Sequence, residues 1–188
     1  MRNYKPLALA LAALLAAPLA SHATDSLNGA FFTGSLGQSW YNGDTSSLGI
    51  TALHDHKTSY AATFGMRWNG WGWDIGYVDS GSFNYQLAGT PLRSSFKLKG
   101  WTLGPNYKYM FNQHWWVGAR AGFFHFNVVP SENVGKLTGT RYYAGIGGGY
   151  DFTNGVGLGL DYTYYAAKKQ GYSLDFGDLM ATVELRFD

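Results

Sequence analysis

A two-residue period runs through this 188-residue chain, and it is clearest between Tyr142 and Tyr164. Tyr142, Ala144, Ile146, Gly148 and Tyr150 are apolar or small, whereas Arg141, Tyr143, Gly145, Gly147, Gly149 and Asp151 carry charge, a hydroxyl or no side chain. Val156, Leu158, Leu160, Tyr162 and Tyr164 then alternate with Gly157, Gly159, Asp161, Thr163 and Tyr165. Alternation of this kind sends successive side chains to opposite faces of an extended strand, and Thr153-Asn154-Gly155 between two such runs reads as a hairpin turn. Aromatics close both ends of the apolar face. That is the profile of a strand pair crossing a bilayer, with Tyr and Trp at the two lipid–water interfaces.

The same pattern recurs along the chain. Ala30, Phe32, Gly34, Leu36 and Trp40 form one apolar face within a strand over about 28–41. Tyr60, Ala62, Phe64, Met66 and Trp68 form the next, over about 59–68, and Asn69-Gly70 supplies a two-residue hairpin turn. Trp71, Trp73, Ile75 and Tyr77 follow within 71–79, then Trp101, Leu103, Pro105, Tyr107 and Tyr109 within about 96–109. Pro105 has no amide hydrogen to give a ladder, so a local break or bulge is expected there. A strand from Trp115 to about Asn127, the central hairpin, and a closing strand through Leu179, Ala181, Val183, Leu185 and Phe187 complete eight. Connections alternate between long (42–58, 80–95, 128–139, 168–173) and short (69–70, 110–114, 152–155). The expected fold is all-β: an eight-stranded antiparallel transmembrane barrel in an up-and-down meander, with short turns on the periplasmic side. Its girdles are Trp68, Trp71, Trp73, Tyr109, Trp115 and Tyr150 at one interface, and Tyr60, Tyr77, Tyr142 and Tyr164 at the other.

The N-terminus supports an exported protein. Arg2 and Lys5 precede an apolar run from Leu7 to Leu19, and Ser21-His22-Ala23 has the small-x-small form of a cleavage site. A signal peptide over 1–23 and a barrel domain over 24–188 are expected. The run is short of the roughly 18 apolar residues of a spanning helix. Of 14 Lys and Arg against 12 Asp and Glu, loss of Arg2 and Lys5 leaves equal numbers, so no basic excess invites nucleic acid. The absence of cysteine rules out disulfide and thiol chemistry.

With the apolar face assigned to lipid, chemistry belongs to the other face. Arg67, Asp74, Lys108, Arg120, Arg141, Asp151, Asp161, Glu184 and Arg186 all fall there. Eight strands enclose a space just wide enough for side chains to fill, so ions inside it must pair. Arg67 with Asp74 across the first turn is an expected pair, and Asp161 is expected beside Glu184 and Arg186. A filled, self-neutralising interior is the preferred reading; a narrow pore and a lipid A-modifying enzyme are the alternatives. His54 and His56 are spaced as a metal pair would be, but no further ligands accompany them, so neither metal nor cofactor is expected. His114 falls at a turn beside Trp115 and Trp116, and His125 near the end of the fifth strand.

The segment Gly100–Ala121, GWTLGPNYKYMFNQHWWVGARA, and the closing GDLMATVELRF over 177–187 resemble the OmpX/OmpA-type eight-stranded outer-membrane barrels. The resemblance implies residence in the outer membrane of a Gram-negative bacterium and contact with its lipid. It also implies insertion by the barrel-assembly machinery through a last strand ending in Val183, Leu185 and Phe187. Asp188 follows where that family usually ends on Phe. The implied role is structural or surface-interacting, through extracellular loops that meet an outside ligand. A second family of this shape, the lipid A deacylases, carries a His-x-Ser pair on a late strand. The corresponding Leu160-Asp161-Tyr162-Thr163 has neither residue.

Overall fold

The alternation resolves into eight long strands in the computed structural model, which describes residues 27–42, 50–52, 56–87, 93–130, 137–166, 168–169, 172–173 and 175–187. They are β1 (Gly29–Asn42), β2 (Lys57–Trp68), β3 (Trp71–Leu87), β4 (Arg93–Met110), β5 (Trp115–Pro130), β6 (Leu137–Asp151), β7 (Val156–Tyr165) and β8 (Asp175–Phe187). Each pairs antiparallel with its sequence neighbours, and β1 pairs with β8, so the meander closes on itself. Closure gives every crossing strand two partners and leaves no edge in the hydrocarbon, the condition for spanning a bilayer with strands. No described helix is long and apolar enough to cross a membrane. The expected leader lies outside the described residues.

The stagger of the barrel can be followed residue by residue. A row of partners starting at Ser39 passes through Asp178, Thr163, Gly145, Arg120, Asn106, Gly72 and Arg67 and returns to β1 at Gly29, ten residues from its start. A ten-residue offset around eight strands tilts each strand by roughly 40° from the barrel axis. Side chains adjacent in the ladder therefore sit at different depths in the membrane, and residues far apart in sequence meet across the lumen.

Local chemistry sets the short end. Asn69 and Gly70 have φ of 51° and 82°, the left-handed pair that a two-residue type I′ hairpin requires. Asn112 Oδ1 accepts from the amides of His114 and Trp115 at 2.8 and 2.7 Å, closing the second turn, and Asn154 Oδ1 accepts from Val156 N in the third. At Pro105 the β4–β5 ladder skips Gly104 and Pro105 and resumes in the same register, so the missing donor leaves a gap without a bulge. A bulge occurs instead between Asp79 and Ser82 of β3.

The long end differs from expectation. Much of 80–95 is strand, because β3 runs to Leu87 and pairs with β4 from Arg93. The 42–58 connection contains a short strand, Ile50–Ala52, added to the end of β3. The 168–173 connection folds as a two-residue pairing of Lys168–Lys169 with Tyr172–Ser173, and β8 begins at Asp175. Polar composition suggested loops here, but backbone pairing tolerates polar side chains on both faces once the strand has left the lipid.

Candidate functional site

Inward side chains divide the lumen into layers. At the short-turn end, cations and anions interlock. Glu184 accepts from Arg67 Nη1 at 2.8 Å and from Lys108 Nζ at 2.8 Å. Lys108 Nζ also meets Asp151 Oδ2 at 2.7 Å, and the same oxygen takes Arg186 Nη1 at 2.5 Å. Arg67 Nε donates to Asn106 Oδ1 and Arg186 Nη2 to the Phe152 carbonyl, both at 3.0 Å. The Arg67 guanidinium lies 3.7 Å from the Phe31 ring centroid, and the Lys108 ammonium 4.8 Å from that of Trp116. All five charged residues are buried, and ions taken out of water persist only when they are paired, as each of these is.

Further along the axis the polar groups thin out. Arg120 Nη2 lies 3.7 Å from Asp74 Oδ1, and the Tyr143 hydroxyl donates to the same oxygen at 3.4 Å. Asp161 accepts from Thr182 Oγ1 at 2.5 Å. Asp74, Arg120, Asp161 and Thr182 border a cavity of ≈ 80 Å³ that also touches Arg67, Lys108 and Glu184. It is polar and roomy enough for a few waters, at about 10–15 Å³ each on this measure.

Beyond the cavity the lumen becomes mainly apolar, with the buried Ser39–Asp178 pair set among rings. Tyr41, Val78, Leu98, Phe124, Phe126, Val128, Tyr143, Tyr165, Phe176 and Met180 form one buried cluster. Tyr165 stacks on Phe176 with centroids 4.6 Å apart, and Phe124 lies 4.9 Å from Tyr165. Inward glycines make room for rings in both layers. A Cβ on Gly139 would come within 2.6 Å of Phe126, and one on Gly159 within 2.8 Å of Trp116.

Of the nine charged positions expected inside, eight lie at the lumen and Arg141 does not. It has the inward parity but is exposed near the long-loop end of β6. Without it, four cations (Arg67, Lys108, Arg120, Arg186) share the lumen with the four expected anions (Asp74, Asp151, Asp161, Glu184) and with Asp178, a buried acid of the same parity that accepts from Ser39 Oγ. The Arg67–Asp74 pairing is corrected: Gly65 is opposite Asp74 and Gly72 opposite Arg67, so the two sit two ladder steps apart and each finds a partner across the lumen. Asp161 lies opposite Met180 rather than beside Glu184 and Arg186. The apolar layer was not anticipated. Its signal was present in aromatics of inward parity near the long-loop ends: Phe124, Phe126, Tyr143, Tyr165 and Phe176.

Outside, Trp68, Trp71, Trp73, Tyr109 and Trp115 are exposed at the short-turn end, with Tyr150 partly covered. Tyr60 and Tyr142 are exposed at the other interface, with Tyr77 and Tyr164 partly covered. Between them Phe64, Ile75, Leu103, Ile146 and Leu160 stand out from the wall. On β8, Phe187 is exposed, Val183 is intermediate and Leu185 is buried despite its outward parity. His114 stacks on Tyr150 at 5.0 Å and its Nδ1 lies 3.0 Å from the Asp151 carbonyl, while His125 is exposed with Nδ1 2.9 Å from Thr140 Oγ1. His54 lies outside the described residues. No group of three His, Cys, Asp or Glu among the described residues is placed to hold a metal.

The closed meander agrees with the family match: the model of the outer membrane protein beta-barrel domain covers residues 7–187. The chain belongs to that family. It is an outer-membrane protein of the Gram-negative envelope, and in this family's orientation the short turns face the periplasm and the long hairpins face outward. Neisserial surface protein A has a similar structure, with 19% identity over 85% of this chain and 97% of that one and a TM-score of 0.64. So does Ail, the attachment invasion locus protein of Yersinia pestis, solved with the heparin analogue sucrose octasulfate: 16% identity over 84% of this chain and 99% of that one, TM-score 0.54. These likenesses extend to the fold. No curated protein sequence matches the chain.

Proposed function

We propose that this barrel is a surface-interaction protein whose membrane part is scaffold and whose extracellular hairpins carry the function. The observation behind this reading is the continuation of ordered sheet beyond the outer aromatic rim. From Tyr77 the β3 strand runs ten further residues to Leu87, paired with β4 and joined at its end by Ile50–Ala52. A rigid stem of this kind positions loop residues for recognition, which a flexible loop does poorly. Ail, of the same fold, has been solved with a sulfated sugar analogue, so sulfated glycans are the first ligands to test. Residues 1–23 act as a cleaved leader, and the barrel-assembly machinery reads Val183, Leu185 and Phe187 during insertion. The interior is a filled core: a buried ion layer and an aromatic layer lie in series along the axis, which favours a structural lumen over a pore.

The test is a strain displaying the protein, compared with one in which 80–97 is replaced by a tight turn. Host-cell and sulfated-glycan binding should fall to the level of the deletion strain while the protein still shifts on heating in detergent gels. Retention of full binding by the trimmed barrel would overturn the hairpin assignment. Large, steady, salt-proportional currents from the purified wild type in planar bilayers would replace the filled-core reading with a pore.

A further inference from the structure

Just above the outer aromatic rim, one sector of the barrel wall differs from the rest. On β4, Lys97 and Lys99 share the outward parity of Trp101 and Leu103. Asp79 of β3 is buried among them, opposite Lys99 in the ladder, and both of its oxygens are occupied. Its Oδ2 takes Lys97 Nζ at 2.8 Å and the Tyr60 hydroxyl at 2.8 Å, and its Oδ1 takes the Gly81 amide at 3.0 Å. Lys99 makes no ion pair or hydrogen bond among the described residues. Across the next ladder, His125 lies opposite Trp101, and its exposed ring contacts Thr140 through Nδ1, leaving Nε2 for another partner.

Vertical order makes this sector informative. Lys99 sits over Trp101 and Leu103, and His125 over Phe123, with Trp101, Leu103 and Phe123 all more than half exposed to the hydrocarbon side. Trp101 packs edge-on against Tyr77 at 5.2 Å, marking the interface. A polar, cationic upper tier over an aromatic ledge over an apolar wall repeats the order of a phospholipid or phosphoglycolipid: phosphate, backbone, acyl chains. Lysines extend their charge to the interface from such positions, and an ammonium binds phosphate as a point charge. Elsewhere near this height the described outward residues on β1, β2, β7 and β8 include Trp40, Gln38, Thr58 and Tyr164, with no cation, and the exposed Arg141 of β6 has inward parity.

We propose that the β4–β5 wall above Trp101 is a binding site for the phosphate of a phosphorylated glycolipid of the outer leaflet, held by Lys99 and His125 with Lys97 at its edge. Asp79 holds Lys97 in place and keeps the pair neutral, so Lys99 carries the uncompensated charge that selects an anion. The acyl chains then lie along Trp101, Leu103 and Phe123.

The test is native mass spectrometry of the folded, full-length protein in neutral detergent with defined lipids. Diphosphoryl lipid A should bind at least about tenfold tighter than the enzymatically dephosphorylated form. Lys99→Gln with His125→Gln should remove that preference, and Lys99→Arg should keep it. Lys99 has no ion pair or hydrogen bond among the described residues and His125 has an exposed contact with Thr140, so these variants should retain the heat-dependent gel shift of the wild type. Equal affinity for phosphorylated and dephosphorylated lipid A, or an unchanged preference in the double variant, overturns the proposal. Phosphatidylglycerol binding as tightly as diphosphoryl lipid A would also overturn it, replacing a site with general attraction to anionic lipid. Displacement of the lipid by an equal concentration of inorganic phosphate would overturn the glycolipid as occupant.

Discussion

The periplasmic and extracellular halves of the lumen are lined by residues of the same strands and the same inward parity, yet they are built on different chemistry. Below the central cavity, Glu184 and Asp151 are shared among Arg67, Lys108 and Arg186 in a lattice of ion pairs. Above it, Phe124, Phe126, Tyr165 and Phe176 fill the space with rings. The ion layer gains from geometry: each charge is compensated by a partner at a fixed distance, and removing one strands the others. The aromatic layer gains from volume, and a smaller apolar side chain leaves a cavity. A narrow barrel can be filled either way, so an inward position needs a side chain that completes its layer rather than a polar side chain as such.

Glu184→Gln should break this comparison most severely. It leaves Arg67 and Lys108 facing each other with less counter-charge, at a cost of about 3–5 kcal/mol, read as the shift in the urea midpoint of folding into lipid vesicles. Adding Arg67→Met should restore much of the loss, because Arg67 pairs with Glu184 whereas Lys108 keeps Asp151, so removing both partners avoids the stranded ion. Failure of the double variant to recover would mean the layer acts by something other than pairing.

Phe124→Ala should cost about 3–4 kcal/mol by leaving a void in the ring cluster, and Phe124→Leu should recover most of it in the same assay. Equal losses for Ala and Leu would show that ring stacking, rather than volume, holds this layer. On the outer face, Phe64→Arg puts a charge into the hydrocarbon and should cost about 2–4 kcal/mol, whereas the same change at a residue beyond the outer rim, Gln38→Arg, should cost little. Equal losses for the two would invalidate the depth assigned to β2. The smallest effect is expected at Lys99→Gln: with no ion pair or hydrogen bond among the described residues, it should leave stability within about 0.5 kcal/mol of wild type while altering lipid binding.

The comparison also shows why part of the interior was legible in the sequence and part was not. Parity alone places Arg67, Asp74, Lys108, Arg120, Asp151, Asp161, Glu184 and Arg186 inside, because a strand has only two faces and lipid claims one. Arg141 obeys the same parity but lies where the strand has left the membrane, and parity does not report depth. The aromatic layer shared the inward parity of the charges. It was passed over because aromatic residues in such a chain are first read as girdle.

Period, turn chemistry and the count of alternating segments determined the barrel, its strand order and its lipid face from the sequence alone, since each is a local property of consecutive residues. Pairing inside the lumen was decided only by the tertiary structure. The ten-residue stagger of the closed sheet brings Arg67 to Glu184 and leaves it two ladder steps from Asp74, although Arg67 and Asp74 are far closer in sequence. Such a stagger accumulates over eight strands, and no single hairpin carries it. The same geometry set His125 opposite Trp101, one outward step from Lys99 across the β4–β5 ladder, a relation that neither strand's sequence shows by itself.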